Sequence, residues 1–338
     1  MIRKLVCLAA ILLLGLTSNA FADWALWKGS VSDDATNPAN WVTSTGAPLG
    51  RIPSYLTDMV GIGTHKDPAG YWPVLYSNPI PTLLNFSLTN QLFCMSEWSG
   101  VYSKYTIAGG YQYFAADQYM MIGRHNTDTA EFIVNSGGIG QMISGTLYGP
   151  TRWLRIGRGD SLEGGQSTMV QNGGVVYAQA MSVGNIMEGS TADTGSSVTI
   201  NGGELYVGGQ NYFDASFDIA AGNSMTINPG ALVKLDATAL QDGTRVTAKG
   251  ALNIVATSLT NSGRLVIPWY IDNVTDMLAW FGDGTTPGDV RAIYQGGPGQ
   301  FVFSYPGGLY TEITVIPEPA TMALLGIGGL CLLRRKHS

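Results

Sequence analysis

Three groups of residues in this chain have types and spacings that could do chemistry. The stretch Phe281 to Val290 (FGDGTTPGDV) sets Asp283 and Asp289 among Gly282, Gly284 and Gly288, and oxygen ligands on a flexible loop suit calcium. Only two carboxylates are present, and neither the EF-hand spacing nor a Gly-Asp nonapeptide repeat is matched, so a surface turn is the competing reading. The second group is aromatic: Tyr71, Trp72, Tyr76, Trp98, Tyr102, Tyr105, Tyr111, Tyr113, Phe114 and Tyr119 crowd into one stretch. Exposed aromatic faces stack on sugar rings; the plainer alternative is that these residues fill the interior of the fold. The third group would be catalytic, and it does not assemble. Arg124, Arg152, Arg155 and Arg158 fall near turns without an accompanying Asp pair, Glu131 has no basic partner at the aligned positions, and His65 and His125 have no evident acid or Ser partner. No Gly-x-Ser-x-Gly elbow occurs. The tripeptide Arg158-Gly159-Asp160 is adhesion-like, but short enough to arise by chance. No enzyme activity and no cofactor are expected.

Composition narrows the classes further. Five of the 18 Lys and Arg lie in the terminal segments (Arg3, Lys4, Arg334, Arg335, Lys336), against 24 acidic residues in all. The body is therefore acidic and holds no basic cluster, which argues against nucleic acid or anionic lipid as its partner. Cys7 and Cys331 sit near the ends, leaving Cys94 as the one cysteine of the body. No internal disulfide can form there, and one Cys with two distant His residues excludes a zinc site of Cys/His type, so no metal is expected.

The elements that must position any site are read from 45 glycines, abundant Ser, Thr and Asn, and short β-branched or aromatic runs, which together indicate an all-β chain. Met277 to Phe281 (MLAWF) is the best helical candidate. An Asn-rich Gly turn recurs at Asn135, Asn172, Asn201 and Asn228, with spacings of 37, 29 and 27 residues, and an apolar-Gly pair recurs at Ile122, Ile156 and Val183. Aligned on the Asn, Phe132, Met169, Val198 and Met225 face one way together with Val134, Gln171, Ile200 and Ile227. The positions between them, Ile133, Val170, Thr199 and Thr226, face the other way, as do Glu131, Thr168, Ser197 and Ser224. This period of two is the half-buried strand pattern. Asn and Gly make the turns because positive φ is cheap there. One such unit cannot bury its apolar face alone, so copies must stack, and the expected fold is a parallel β-helix with the Asn amides bonded to one another along a corner. An antiparallel β-sandwich is the competing architecture. Ice binding, which needs a regular Thr array, is not expected, because Ile133 and Val170 share the column of Thr199 and Thr226.

Both ends read as addresses. Arg3 and Lys4, the apolar run Leu5 to Leu16, and the small-x-small site Ala20-Phe21-Ala22 form a secretory signal peptide cleaved before Asp23. At the other end, Pro317, Glu318 and Pro319 make a stiff extended break. Ala320 to Leu333 then form a 14-residue apolar run, and Arg334, Arg335 and Lys336 close it with positive charge. This order resembles the PEP-CTERM sorting signal of Gram-negative and related environmental bacteria, which is handled by an exosortase, a membrane transpeptidase-like enzyme. The resemblance implies that Pro317-Glu318-Pro319 is recognised by that enzyme and that Arg334 to Lys336 act as the stop at the membrane, with the C-terminus cytoplasmic. The repeat phrases resemble autotransporter-type passenger and planctomycete-type exported β-helix proteins, and Trp24, Trp27 and Trp41 with Asn37, Pro38 and Asn40 resemble the segment that caps the first coil of such proteins.

The expected organisation is a signal peptide at 1–22, an N-terminal cap and first rungs at 23–119, repeats at 120–263, a C-terminal β cap at 264–316 and the sorting tail at 317–338. The expected function is a non-catalytic, exported protein of the cell surface or extracellular matrix, structural or adhesive. Its partners would be the secretion machinery, the exosortase and, through a short C-terminal helix, the membrane. The alternative is a β-helix that binds or cleaves extracellular polysaccharide.

Overall fold

The computed structural model describes residues 23–53, 58–62, 74–75, 93–95, 102–114, 119–123, 129–136, 138–142, 153–157, 166–178, 180–184, 195–208, 217–235, 246–308 and 310–318. It is mostly β, with one α-helix among the described residues and no closed barrel.

Parallel pairing organises the strands into three ladders. The first runs Val74–Leu75, Tyr102–Ile107, Thr129–Val134, Gln166–Gln171, Ser197–Ile200, Ser224–Ile227, Ala251–Ser258 and Val290–Tyr294. The second runs Gly110–Phe114, Gly138–Met142, Val175–Ala178, Gly203–Val207, Ala231–Leu235 and Arg264–Ile267. Asp23–Trp27, Asp58–Ile62, Phe93–Met95, Tyr119–Ile122, Trp153–Ile156, Ala180–Val183, Phe217–Ile219 and Val246–Ala248 form the third. From Tyr102 to Ala256 the chain visits first, second and third ladder in rotation, so each strand finds its partner one circuit later.

Alternation decides which face each strand buries. Phe132, Met169, Val198 and Met225 occupy consecutive register positions of the first ladder and are fully or nearly fully buried, while Glu131, Thr168, Ser197 and Ser224 beside them are half-buried. Each large apolar side chain removed from water this way contributes about 1.5–3 kcal/mol. Gln171 stands in the inward column with Val134, Ile200 and Ile227. Its Nε2 donates to the carbonyls of Glu204 at 3.0 Å and Gly174 at 3.3 Å, so the buried amide nitrogen is bonded, while its Oε1 accepts no hydrogen bond among the described residues. In the third ladder Ile122, Ile156 and Val183, the apolar partners of the repeated apolar-Gly phrase, form one buried column.

The turns stack as the strands do. Asn172 Nδ2 donates to Asn135 Oδ1 at 3.1 Å, Asn201 to Asn172 at 2.9 Å and Asn228 to Asn201 at 2.7 Å. Gly203, just after the third of these turns, has φ +78°, and a Cβ there would lie 2.2 Å from the Gly174 carbonyl oxygen of the preceding circuit. Only Gly allows both the backbone angle and the approach.

At the two ends of the described body the pairing turns antiparallel. Trp41–Val42 pairs with Asp23–Trp27, and the Trp27 and Trp41 rings meet edge to face at 4.9 Å. Buried Asn40 organises the loop between them: its Oδ1 accepts from Val31 N and Ser32 N, and its Nδ2 donates to Ser32 Oγ and the Asp34 carbonyl. At the other end Gly297–Ser304 folds back on Val290–Tyr294, and Thr311–Pro317 runs between Gly297–Ser304 and Arg264–Ile267. The helix Val274–Trp280 packs beneath, with Met277 and Phe281 buried. It starts earlier than the apolar pattern indicates, because Asn273 caps it: the Asn273 side-chain oxygen accepts from Asp276 N at 2.9 Å, and Asp276 places negative charge in the first turn.

Candidate functional site

The Gly-Asp loop is closed by the protein's own donors. Asp283 Oδ1 accepts from Thr285 N, Thr285 Oγ1 and Thr286 N at 2.7–2.9 Å, and Lys249 Nζ lies 2.9 Å from Asp283 Oδ2. The Thr285 hydroxyl first, then Lys249, hold the Asp283 carboxyl well below the usual carboxylate range. Asp289 is engaged by the Arg291 guanidinium, whose Nε donates to Oδ1 at 2.6 Å. Each carboxylate thus already has a cation beside it, and among the described residues no group of three potential metal ligands occurs.

The aromatic stretch divides. Tyr71, Trp72, Tyr76 and Trp98 lie outside the described residues, as do His65, His125, Arg124, Arg152 and the Arg158-Gly159-Asp160 tripeptide. Tyr105 faces inward, and its ring stacks over Phe132 of the next circuit at 6.2 Å; burial pushes its hydroxyl up from the ordinary tyrosine value. Tyr111, Tyr113 and Phe114 belong to Gly110–Phe114, and Tyr119 opens Tyr119–Ile122. Tyr102 lies outward, and burial followed by its hydrogen bond to Glu131 pushes it up to about 12. Glu131 has a basic neighbour after all: Lys104 is its register partner, with Nζ 3.5 Å from Oε2. That strand precedes the repeats aligned on Asn, which is why the alignment missed it. The pair is exposed, and such pairs contribute about 0–1 kcal/mol.

Two further exposed aromatic sites come from the structure. On the outer face of the second ladder Tyr177 and Tyr206 stack at 4.9 Å, so each ring turns a face to the other and an edge to solvent; the Tyr206 hydroxyl donates to Glu204 Oε2. Near the end of the same ladder Tyr270, 71% exposed, stacks on Tyr305 at 4.5 Å, and its neighbour Trp269 is 42% exposed.

A buried polar column on an outward face escaped the sequence reading. Arg155 lies within the strand Trp153–Ile156, not near a turn, and Ser182, Asp218 and Thr247 follow it in register on the next three circuits. This column alternates with the inward columns that hold Leu154 and Ile156, so it occupies the opposite face, yet all four residues are 6% exposed or less. Thr247 Oγ1 donates to Asp218 Oδ1. About 10 Å, two strand spacings, separate Arg155 from Asp218. Part of the signal was available: the position before the apolar residue of the repeated apolar-Gly phrase gives Arg155 and Ser182, whereas Asp218 precedes Ile219-Ala220, where the phrase lacks its Gly. With such burial the four residues present almost nothing to a dissolved substrate, and Thr247 and Asp218 hold this face of the ladder through a hydroxyl-carboxylate bond.

The remaining site is the exit strand Thr311–Pro317. Thr311, Ile313, Val315 and Pro317 are buried and alternate with half-buried Glu312, Thr314, Ile316 and Glu318. The break at Pro317 therefore begins inside the fold: Pro317 is the last residue of the strand, opposite Gly299. Lacking an N–H, proline suits a strand end. Pro319, Arg334, Arg335 and Lys336 lie outside the described residues, as do Ala20 and Ala22. Among the described residues no helix is long and apolar enough to cross a membrane.

Residues 315–336 match the PEP-CTERM protein-sorting motif. The motif implies an exported protein of the cell envelope or surface, with an exosortase as its processing partner. Neither the curated proteins nor the solved structures yield a match to the chain.

Proposed function

We propose that this PEP-CTERM protein is a structural or adhesive component of the cell surface or extracellular matrix, without catalytic activity, whose body is a parallel β-helix. The observation that carries the sorting half of this reading is the motif match over residues 315–336. The body half is supported by the three parallel ladders visited in rotation, the bonded Asn corner and the antiparallel pairings at both ends, where Trp27 and Trp41 on one side and Thr311–Pro317 on the other act as caps. The exosortase reads Pro317, Glu318 and Pro319. The apolar run 320–333 rests in the inner membrane with Arg334, Arg335 and Lys336 on the cytoplasmic side, and the signal peptide is removed after Ala22.

The test is replacement of Pro317, Glu318 and Pro319 by Ala in a host that carries the sorting enzyme. The full-length variant should remain in the inner membrane, and a mature C-terminus identical to wild type by mass spectrometry would remove the reading. A second reading, a body that binds polysaccharide, is favoured by the exposure of Trp269 and Tyr270. A glycan array probed with the secreted chain separates the two: saturable binding that Tyr270→Ala abolishes supports the second, and silence across the panel supports the first.

A further inference from the structure

The sorting motif and the fold share a residue. Pro317 ends a strand whose inward side chains, Ile313 and Val315, are essentially fully buried in the core and whose register with Gly297–Ser304 is continuous from Ser304↔Glu312 to Gly299↔Pro317. On its other side the strand is bonded to the body as well: Val315 N donates to Ser262 Oγ at 3.0 Å, and Thr311 to Ile313 pair with Arg264–Ile267. The fit at the end is close. A Cβ on Gly299 would lie 2.6 Å from Val315 Cγ1 and 3.1 Å from the Ile316 carbonyl oxygen, so the chain comes within van der Waals contact of its neighbour just before the motif. No spacer separates the last core side chain, Val315, from Pro317.

An enzyme that recognises an extended peptide needs the side chains and at least one backbone edge of that peptide. In the folded chain the Pro317 side chain is buried and one edge of its strand is taken by Gly297–Ser304. We propose that the exosortase acts on a chain whose last strand is not seated: Thr311–Pro317 peels from Gly297–Ser304 before the motif is read. Seating of this strand and presentation of the motif are mutually exclusive states of the same residues, so the fold governs the order of the sorting steps. The inference rests on the sorting role assigned to Pro317-Glu318-Pro319.

The test locks the strand in place. Gln300 and Ile316 stand directly opposite each other, as do Val302 and Thr314, on the face that alternates with the buried one. Opposed antiparallel positions lie within disulfide reach. The full chain carrying Cys94→Ser with Gln300→Cys and Ile316→Cys, or with Val302→Cys and Thr314→Cys, is expressed in cells that carry the sorting enzyme, and its C-terminus is read by mass spectrometry. With the disulfide formed, the processed form should be lost; each single-cysteine variant should be processed like wild type. A short Gly/Ser spacer between Ile316 and Pro317 should restore processing in the locked chain, which a merely misfolded variant would not show. Wild-type processing with the disulfide intact overturns the inference while leaving the sorting reading standing. Wild-type processing of the unlocked chain with Pro317, Glu318 and Pro319 replaced by Ala overturns both.

Discussion

Asn201 sits in the middle of a chain of side-chain amides, donating to Asn172 Oδ1 at 2.9 Å and accepting from Asn228 Nδ2 at 2.7 Å. Asn201→Ala therefore removes two hydrogen bonds and Asn228→Ala removes one of them. At about 1 kcal/mol net for each bond, the first variant should lose about 2 kcal/mol and the second about 1. Urea unfolding monitored by circular dichroism measures both, and equal losses would show that the amides do not act as a ladder.

The turn glycines differ in what surrounds them. Gly230 has φ +85° with nothing within 4 Å of a built Cβ, whereas at Gly203 the Cβ would strike the Gly174 carbonyl oxygen. Gly230→Ala should cost about 1–2 kcal/mol, the backbone term alone. Gly203→Ala adds overpacking of about 1–3 kcal/mol, because the obstacle is backbone of the adjoining circuit and cannot rotate away. Thermal melts that ranked the two variants the other way would contradict the register of the second ladder.

Thr247→Val keeps the shape of the side chain and deletes the hydroxyl that bonds Asp218. Leaving a buried carboxylate oxygen short of its donor should cost about 1–3 kcal/mol. In the background of Asp218→Ala the same Thr247→Val change should cost less. If the two changes simply add, the hydroxyl and the carboxylate are not coupled.

Acid and calcium probe the loop of Asp283. Its folded pKa is depressed by Thr285 and Lys249, so the stabilisation is present above the ordinary aspartate value of about 4 and is lost as pH falls below it toward the folded value. Asp283→Asn should lower the melting temperature in the neutral region and flatten the acid limb, so that variant and wild-type profiles converge at low pH. Added calcium should not move the melting temperature, because Lys249 and Arg291 already occupy the two carboxylates. A calcium-dependent rise would reopen the loop as a metal site.

The alkaline side reports on Tyr206, pushed up to about 12 by its hydrogen bond to Glu204 and then by burial. A raised pKa leaves stability intact below the unfolded tyrosine value of about 10 and erodes it between there and about 12, where the unfolded chain loses the proton and the folded chain keeps it. Tyr206→Phe should make that limb shallower, as read by chemical denaturation at successive pH values. An unchanged limb would mean that the Glu204 bond does not persist in solution.

Much of the body was legible because its constraints are periodic. The alternation around Phe132, Met169, Val198 and Met225 and the recurring Asn follow from two local rules, a strand period of two and the low cost of positive φ at Asn and Gly, repeated at nearly constant spacing. Aligning those phrases was enough to set the register of four consecutive strands of the first ladder and to place the Asn amides over one another. The terminal address was legible for a related reason: proline, an apolar run and terminal cations act through composition and order rather than through contacts.

What tertiary structure alone decided are the pairings that the repeated phrases do not align. Lys249 meets Asp283, Arg155 shares a buried column with Asp218, Lys104 reaches Glu131 from a strand with no Asn turn, and Pro317 lies opposite Gly299. Each depends on where an irregular connection or an antiparallel return brings the chain, and on which outward faces end up covered. An isolated residue type carries no signal of either, since its burial and its partner are properties of the packed chain.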